Sequence, residues 1–164
     1  MDLTRVAGRE GRAQGQVIRV SGRVLDESGE PIEGAVVDVW QANAAGRYDH
    51  EGDTSDTPKD PNFQGWAVLK TDAEGRYAFT TIKPGPYTAM GEWVRPPHIH
   101  YKVSRRGYKE LITQMYFDGD PLNDKDQLFK AVPEGERKHL LVTFSEQDIP
   151  EGEFNIVLGS VGTA

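Results

Sequence analysis

The sequence predicts an all-β protein, a single-domain and mostly antiparallel β-sandwich with long irregular loops. Three observations carry that expectation. Apolar and polar residues alternate over short segments, which is the period of a half-buried strand. Glycine and proline are plentiful, at 18 and 10 residues, as many short strands joined by turns require. Helical periodicity is weak and confined to residues 124–132. Short strands separated by turn signals indicate a sandwich or a barrel.

Residues 1–15 are rich in Gly, Arg and Glu and read as an arm lying across another part of the fold or another subunit; residues 16–164 form the domain. The first strand is expected over residues 17–25, followed by a turn at 26–31 and a second strand at 34–40. On that second strand Val37 and Val39 share one face, while Val36, Asp38 and Trp40 share the other. Residues 41–66 form a long irregular stretch, a length that usually means function or disorder. Tyr48, Phe63 and Trp66 argue against disorder, with Phe63 expected to pack inside the loop. Strand signals resume at 67–71 and 76–81 around the Asp72–Gly75 turn, then at 98–104, 111–117, 139–144 and 154–158.

Composition narrows the function. The chain of 164 residues has 19 basic and 26 acidic residues, a net charge of −7, and no run of Lys or Arg to track phosphates, so nucleic acid is not an expected partner. There is no cysteine, so disulfides and thiolate metal sites are excluded and any metal must use N and O ligands. Residues 1–16 are polar, unlike a signal peptide, and no apolar run approaches the roughly 20 residues of a membrane span. A cytoplasmic protein without membrane association is the expectation.

Half of the four histidines fall at His98 and His100, just after Arg95. Side chains at i and i+2 of a strand share a face, with roots roughly 7 Å apart, so the two imidazoles can chelate. Imidazole suits Zn, Cu, Fe and Ni, so the pair alone does not choose the metal, and histidines that merely pack on a strand are the alternative. Further N or O ligands would come from Asp, Glu, Tyr or the other histidines. Tyr48 in the long loop and Tyr87 directly after the turn at 83–86 stand in unusual places, although a tyrosine taken alone is more often a core or loop-packing residue. Tyrosine titrates near 10, so as a ligand it needs a strongly acidic metal such as Fe(III).

Residues 39–50 (VWQANAAGRYDH), 60–65 (DPNFQG), 81–87 (TIKPGPY) and 95–100 (RPPHIH) resemble, in this order, the intradiol ring-cleavage dioxygenases, with 111–117 (LITQMYF) as a fifth matching segment. The resemblance runs from about residue 15 to 159 and is strongest toward the iron-binding chains of the protocatechuate subfamily. It implies a non-haem Fe(III) held by two tyrosinates and two histidines, roles that fall on Tyr48, Tyr87, His98 and His100. Tyr87 matches the ligand that leaves the iron and accepts a proton, and Tyr48 the one that stays. Arg95 matches the arginine that stabilises developing negative charge on the ring, Gln114 a position near iron and substrate, and Trp40 a residue lining the pocket. The implied reaction cleaves a catechol-type aromatic with O2 to a cis,cis-muconate-type diacid. His50 is expected beside the site or bracing its loop, Asp49 and Asp53 to be solvated, and His139 to be structural or exposed. The segment between Tyr87 and His98 is shorter than in the protocatechuate subfamily, and an N-terminal extension or helical domain has no counterpart in these residues. A neighbouring chain, a second copy or a related partner, is therefore expected to complete the pocket.

Two other readings stay open at this level. Residues 22–37, 71–79 and 84–87 also resemble transthyretin-like or carboxypeptidase-regulatory modules, which have the same fold and no catalysis. A zinc hydrolase using His98, His100 and Asp49 would need an open fourth position for water.

Overall fold

The structure, a computed structural model, describes residues 1–162. In chain order the strands are β1 (Val17–Asp26), β2 (Val36–Trp40), β3 (Trp66–Lys70), β4 (Arg76–Ile82), β5 (Tyr87–Met90), β6 (Trp93–Arg95), β7 (His98–Ser104), β8 (Leu111–Phe117), β9 (Leu141–Val142), β10 (Glu151–Glu153) and β11 (Ile156–Leu158). Among the described residues the one α-helix, α1 (Gln127–Ala131), lies between β8 and β9, within the stretch where helical periodicity is expected.

Alternation along each strand decides what faces what. On β1, Ile18, Val20 and Val24 are buried; on β7 it is Ile99, Tyr101 and Val103 that are sealed from solvent. Val37 and Val39 of β2 join them, as the pattern predicts, and Val36, Asp38 and Trp40 lie on the opposite face. β1 is the spine of one sheet, antiparallel to β4 on one side and parallel to β10 and β11 on the other. The second sheet runs β3-β2-β7-β8-β9, antiparallel except for its last pair. β5 and β6 form a separate hairpin. The apolar faces of the two large sheets make the core, so the fold is the all-β, mostly antiparallel sandwich that was expected.

Buried polar groups tie the layers together. Gln41 donates to the Ile82 carbonyl at 2.9 Å and accepts from the Thr81 hydroxyl at 2.6 Å. Tyr77 donates to the Phe154 carbonyl at 2.6 Å, which leaves the Tyr101 hydroxyl, 3.1 Å away, to donate to Tyr77. The arm is anchored on the fold: Leu3 is buried, its N–H donates to the Thr80 carbonyl, and Gln14 N–H donates to Asp60 in the long loop. Among the described residues no helix is long and apolar enough to cross a membrane.

Three local expectations are corrected. Within 139–144 only Leu141 and Val142 pair as a strand, and His139 falls in a 3-10 turn over Glu134–Leu140. Arg137 explains this, because its guanidinium donates to the carbonyls of Val132 and Lys130 and pins the segment beside α1. The last strand begins at Ile156, since Phe154 and Asn155 bond sideways to Ser21 and Arg23 of β1 in a jog between β10 and β11. The β5–β6 hairpin was not expected at all; its exposed residues lack the alternation that marks a half-buried strand.

Tyr77→Phe removes a donor to one buried carbonyl and an acceptor for one buried hydroxyl. Urea unfolding should show a loss of about 1–3 kcal/mol; an unchanged midpoint would mean water replaces both bonds.

Candidate metal centre

β7 lies between β2 and β8 with one face on the core, so His98 and His100 point together off the other face. Their Nε2 atoms are 3.2 Å apart. Pro96 turns its carbonyl toward His98 Nδ1 at 2.7 Å, which fixes that proton and leaves the Nε2 lone pair free. Trp40, the register partner of His100, stacks on its imidazole with centroids 5.0 Å apart and planes 4° from parallel. Burial, helped by the Arg95 charge, pushes His98 down to about 4. Burial and then the two neighbours His98 and Arg95 push His100 down to about 3. Both rings are thus neutral near pH 7, the state a ligand requires.

The two tyrosines arrive from loops that are clamped to each other. Asn43 is buried and organises the clamp: its Oδ1 accepts from Ala45 and Arg47 N–H, its Nδ2 donates to Pro58 O, and its carbonyl accepts from Gly46 and Gly85 N–H. A Cβ on Gly85 would come within 2.3 Å of the Ala44 carbonyl, and one on Gly46 within 2.4 Å of the Pro86 carbonyl, so only glycine permits this approach. Arg47 donates to backbone carbonyls of Asp53, Ser55 and Thr57, and Asp53 in turn accepts from Tyr48 N–H. Through these bonds the Tyr48 hydroxyl reaches 2.9 Å from His100 Nε2, 3.2 Å from His98 Nε2 and 3.4 Å from the Tyr87 hydroxyl. The Tyr87 hydroxyl is also 3.4 Å from His98 Nε2. Burial first, and then Tyr87 beside it, hold the Tyr48 phenol well above its ordinary range.

This cluster fits a cation. Four lone-pair atoms crowd one point, and each phenolic proton can satisfy only one acceptor. Five of the six separations among them lie between 2.9 and 3.4 Å, the spacing that N and O ligands keep around one first-row ion. Hard phenolate oxygens beside imidazole suit a highly charged ion such as Fe(III), which can displace both phenol protons. Asp49 does not join the set: it is exposed and pairs with Lys59 at 3.4 Å, so the zinc-hydrolase ligand set is not assembled. Asp53, expected to be solvated, instead braces the loop. His50 is exposed but tilts against Tyr48 with centroids 5.6 Å apart. Phe63 packs into the core. Trp40, Tyr48, Tyr87 and His100 wall one side of an open cavity of about 760 Å³, with residues of the 50–57 loop on the other.

Arg95 stands behind the histidines, buried, with Nη1 3.2 Å from His98 Nε2. It forms no surface salt bridge; its partner is the fully buried Asp126. Nε and Nη2 each meet that carboxylate at 3.0 Å, and Nη2 also meets Gln114 Oε1 at 2.7 Å and the Tyr116 hydroxyl at 3.1 Å. Burial alone would lower the arginine's pKa, but Asp126 more than reverses this and keeps it charged. The carboxyl of Asp126, despite burial, is held below its ordinary range by Arg95. The structure thus gathers Tyr48, Tyr87, Arg95, His98, His100, Gln114 and Trp40 in one place. Sequence reasoning missed Asp126, Tyr116 and Asn43. Asp126 carried one readable signal, since an Asp just before a helical stretch is a favoured cap.

On the outer face of one sheet of this all-β sandwich, two histidines and two tyrosines are turned toward one another, a cysteine-free set of N and O donors able to hold a metal ion. Residues 1–160 match the profile of the Dioxygenase family. The chain is 49% identical to the protocatechuate 3,4-dioxygenase beta chain of Burkholderia cepacia, over 96% of this chain and 70% of that one. It is 34% identical to catechol 1,2-dioxygenase 2 of Acinetobacter lwoffii, over 68% of this chain but only 44% of that one. The crystal structure of 3-chlorocatechol 1,2-dioxygenase from Rhodococcus opacus 1CP superposes with a TM-score of 0.79 at 25% identity, covering 98% of this chain and 65% of the other. The protein belongs to the intradiol ring-cleavage dioxygenase family.

The depressed histidines set a pH dependence for the metal-free protein. As pH falls below the ordinary histidine value of 6.5, the unfolded chain takes up protons that folded His98 and His100 refuse until about 4 and about 3. Unfolding free energy should therefore decline between pH 6.5 and roughly 5, before carboxylates contribute, and replacing both histidines with alanine should flatten the slope. A slope unchanged by that replacement would show the imidazoles are not buried neutral.

Proposed function

We propose that the protein cleaves catechol-type aromatics between the two hydroxyl-bearing carbons, placing both atoms of O2 in a cis,cis-muconate-type diacid, with a non-haem Fe(III) held by Tyr48, Tyr87, His98 and His100. The observation that carries this reading is the convergence of those four donor atoms from a loop, a hairpin and a strand, with five of their six separations between 2.9 and 3.4 Å. The names of the relatives, which specify protocatechuate and catechol, support the substrate class. A transthyretin-like binding module would leave that cluster and the buried Arg95 without a purpose.

When bound, a ferric ion supplies Lewis acidity that favours the doubly deprotonated catechol and readies its ring for attack on O2. The chain's own residues do the rest. Tyr48 is immobilised by the Asn43 clamp and serves as the permanent phenolate. Tyr87 begins an exposed hairpin and lines the cavity, so its phenol can turn aside and take a substrate proton. Arg95 sets a fixed positive charge next to the ring as negative charge develops there, in a site already shielded from water. Gln114 steadies Arg95, and Trp40 walls the cavity while holding His100 in plane. Protocatechuate or catechol and O2 are the small-molecule partners. A second chain, identical or related, completes the open side of the pocket, and the setting is cytoplasmic.

The test is the visible spectrum of the purified protein before and after anaerobic addition of catechol or protocatechuate. A red-brown tyrosinate-to-Fe(III) band that shifts with substrate is expected; a protein that stays colourless after ferric reconstitution would overturn the reading. Tyr48→Phe should weaken iron retention and change the colour, while His98→Ala or His100→Ala should lose the iron, all read by metal analysis. Arg95→Ala should keep the colour and lower kcat by about 10²–10³-fold, the usual loss for one electrostatic donor; wild-type turnover would remove it from the chemistry.

A further inference from the structure

We infer that Asp126 is a positioning residue for Arg95, holding the guanidinium so that one nitrogen alone, Nη1, is left to meet the reacting ring. The inference rests on the catechol-cleavage reading. Asp126 is fully buried at the start of α1. Its Oδ1 accepts from Arg95 Nε at 3.0 Å and Trp93 Nε1 at 3.1 Å. Its Oδ2 accepts from Arg95 Nη2, the Tyr116 hydroxyl and Phe129 N–H, each at 3.0 Å.

Counting protons on the guanidinium gives the consequence. Nε has one, spent on Oδ1. Nη2 has two, spent on Oδ2 and on Gln114 Oε1. The two-point contact with the carboxylate fixes the plane as well as the distance. Nη1 remains, and its partner is His98 Nε2 at 3.2 Å. Were that lone pair committed to a metal, the Nη1 protons would be the guanidinium's uncommitted donors, held 3.2 Å from the ligating nitrogen.

Capping alone does not explain the carboxylate. Ser, Thr or Asn would accept from Phe129 N–H equally well at the end of a five-residue helix. Arg95, Trp93 and Tyr116 are what require a buried negative group with two oxygens. Arg95 and Trp93 both belong to β6, and Arg95 is the register partner of Tyr87 on β5. Asp126 therefore also fastens the root of the hairpin from which Tyr87 reaches the cluster.

The experiment compares Asp126→Ser, which keeps a cap acceptor, and Asp126→Asn, which keeps the volume, with the wild-type full chain. In the iron-loaded protein kcat for catechol should fall about 10- to 100-fold, as expected when a catalytic group is misplaced, with the charge-transfer band retained. KM should change by less than about threefold, because the loss lies in the transition state. In an Arg95→Ala background neither change should lower kcat further. In the metal-free protein the Arg95 Nε–H resonance should exchange slowly with solvent, and faster in both variants. Wild-type kcat, a loss that adds to that of Arg95→Ala, or unaltered Nε–H exchange would overturn the inference. Should Asp126→Ser not fold, Asp126→Asn carries the comparison. A wild-type chain that takes up no ferric iron and cleaves no catechol would instead overturn the catalytic reading, while the exchange measurement still decides whether Asp126 holds Arg95.

Discussion

The pairing register of β7 is the constraint on which the site depends. His100 lies opposite Trp40 on one side and Gln114 on the other, and His98 lies opposite Tyr116. A slip of one residue would turn His98 and His100 into the core and expose Ile99 and Tyr101. The core forbids it, because Ile99, Tyr101 and Val103 are completely buried, and burying a side chain of that kind is worth roughly 1.5–3 kcal/mol. The geometry of the polar face is therefore inherited from packing on the apolar face. Each neighbour then contributes in turn: Trp40 stacks, Gln114 anchors Arg95, and Tyr116 bridges to Asp126.

The tyrosines solve a harder problem, because neither side chain is aimed by the core. Tyr48 hangs from a long loop and Tyr87 from the base of an exposed hairpin. Ordering such segments costs roughly 1–2 kcal/mol of backbone entropy per residue. Asn43, Arg47 and Asp53 meet that cost with a dense set of local hydrogen bonds, and two glycines let the loops touch backbone to backbone. The cluster is thus pre-shaped, so a cation entering it does not have to order the loop as well.

How much of this was legible follows the range of the interactions. His98 and His100 were readable because a strand places i and i+2 together whatever surrounds it. Tyr48, Tyr87, Arg95, Gln114 and Trp40 were readable only through the resemblance, since each is an ordinary residue without its matching segment. Tyr116 was illegible, and Asp126 legible only as a helix cap, because what they do lies in a guanidinium 21 and 31 residues away. Asn43 was hidden among the polar residues of a loop. The strand at 139–144 failed for the same reason: the apolar pattern was present, but Arg137 bonded to carbonyls that no local rule would select.

The parallel pairing of β10 and β11 with β1 sets an order of events during synthesis. β1 meets its antiparallel partner β4 only after β2, the long loop and β3 have been made, and its other edge stays unpaired until residues 151–158 have emerged. Contacts of such long sequence separation form late, and an open strand edge is a template for wrong pairing until they do. Tyr48, Tyr87, His98 and His100 all precede that point by 50 residues or more. The nascent chain therefore exposes all four of these side chains before the sandwich that orders them can close.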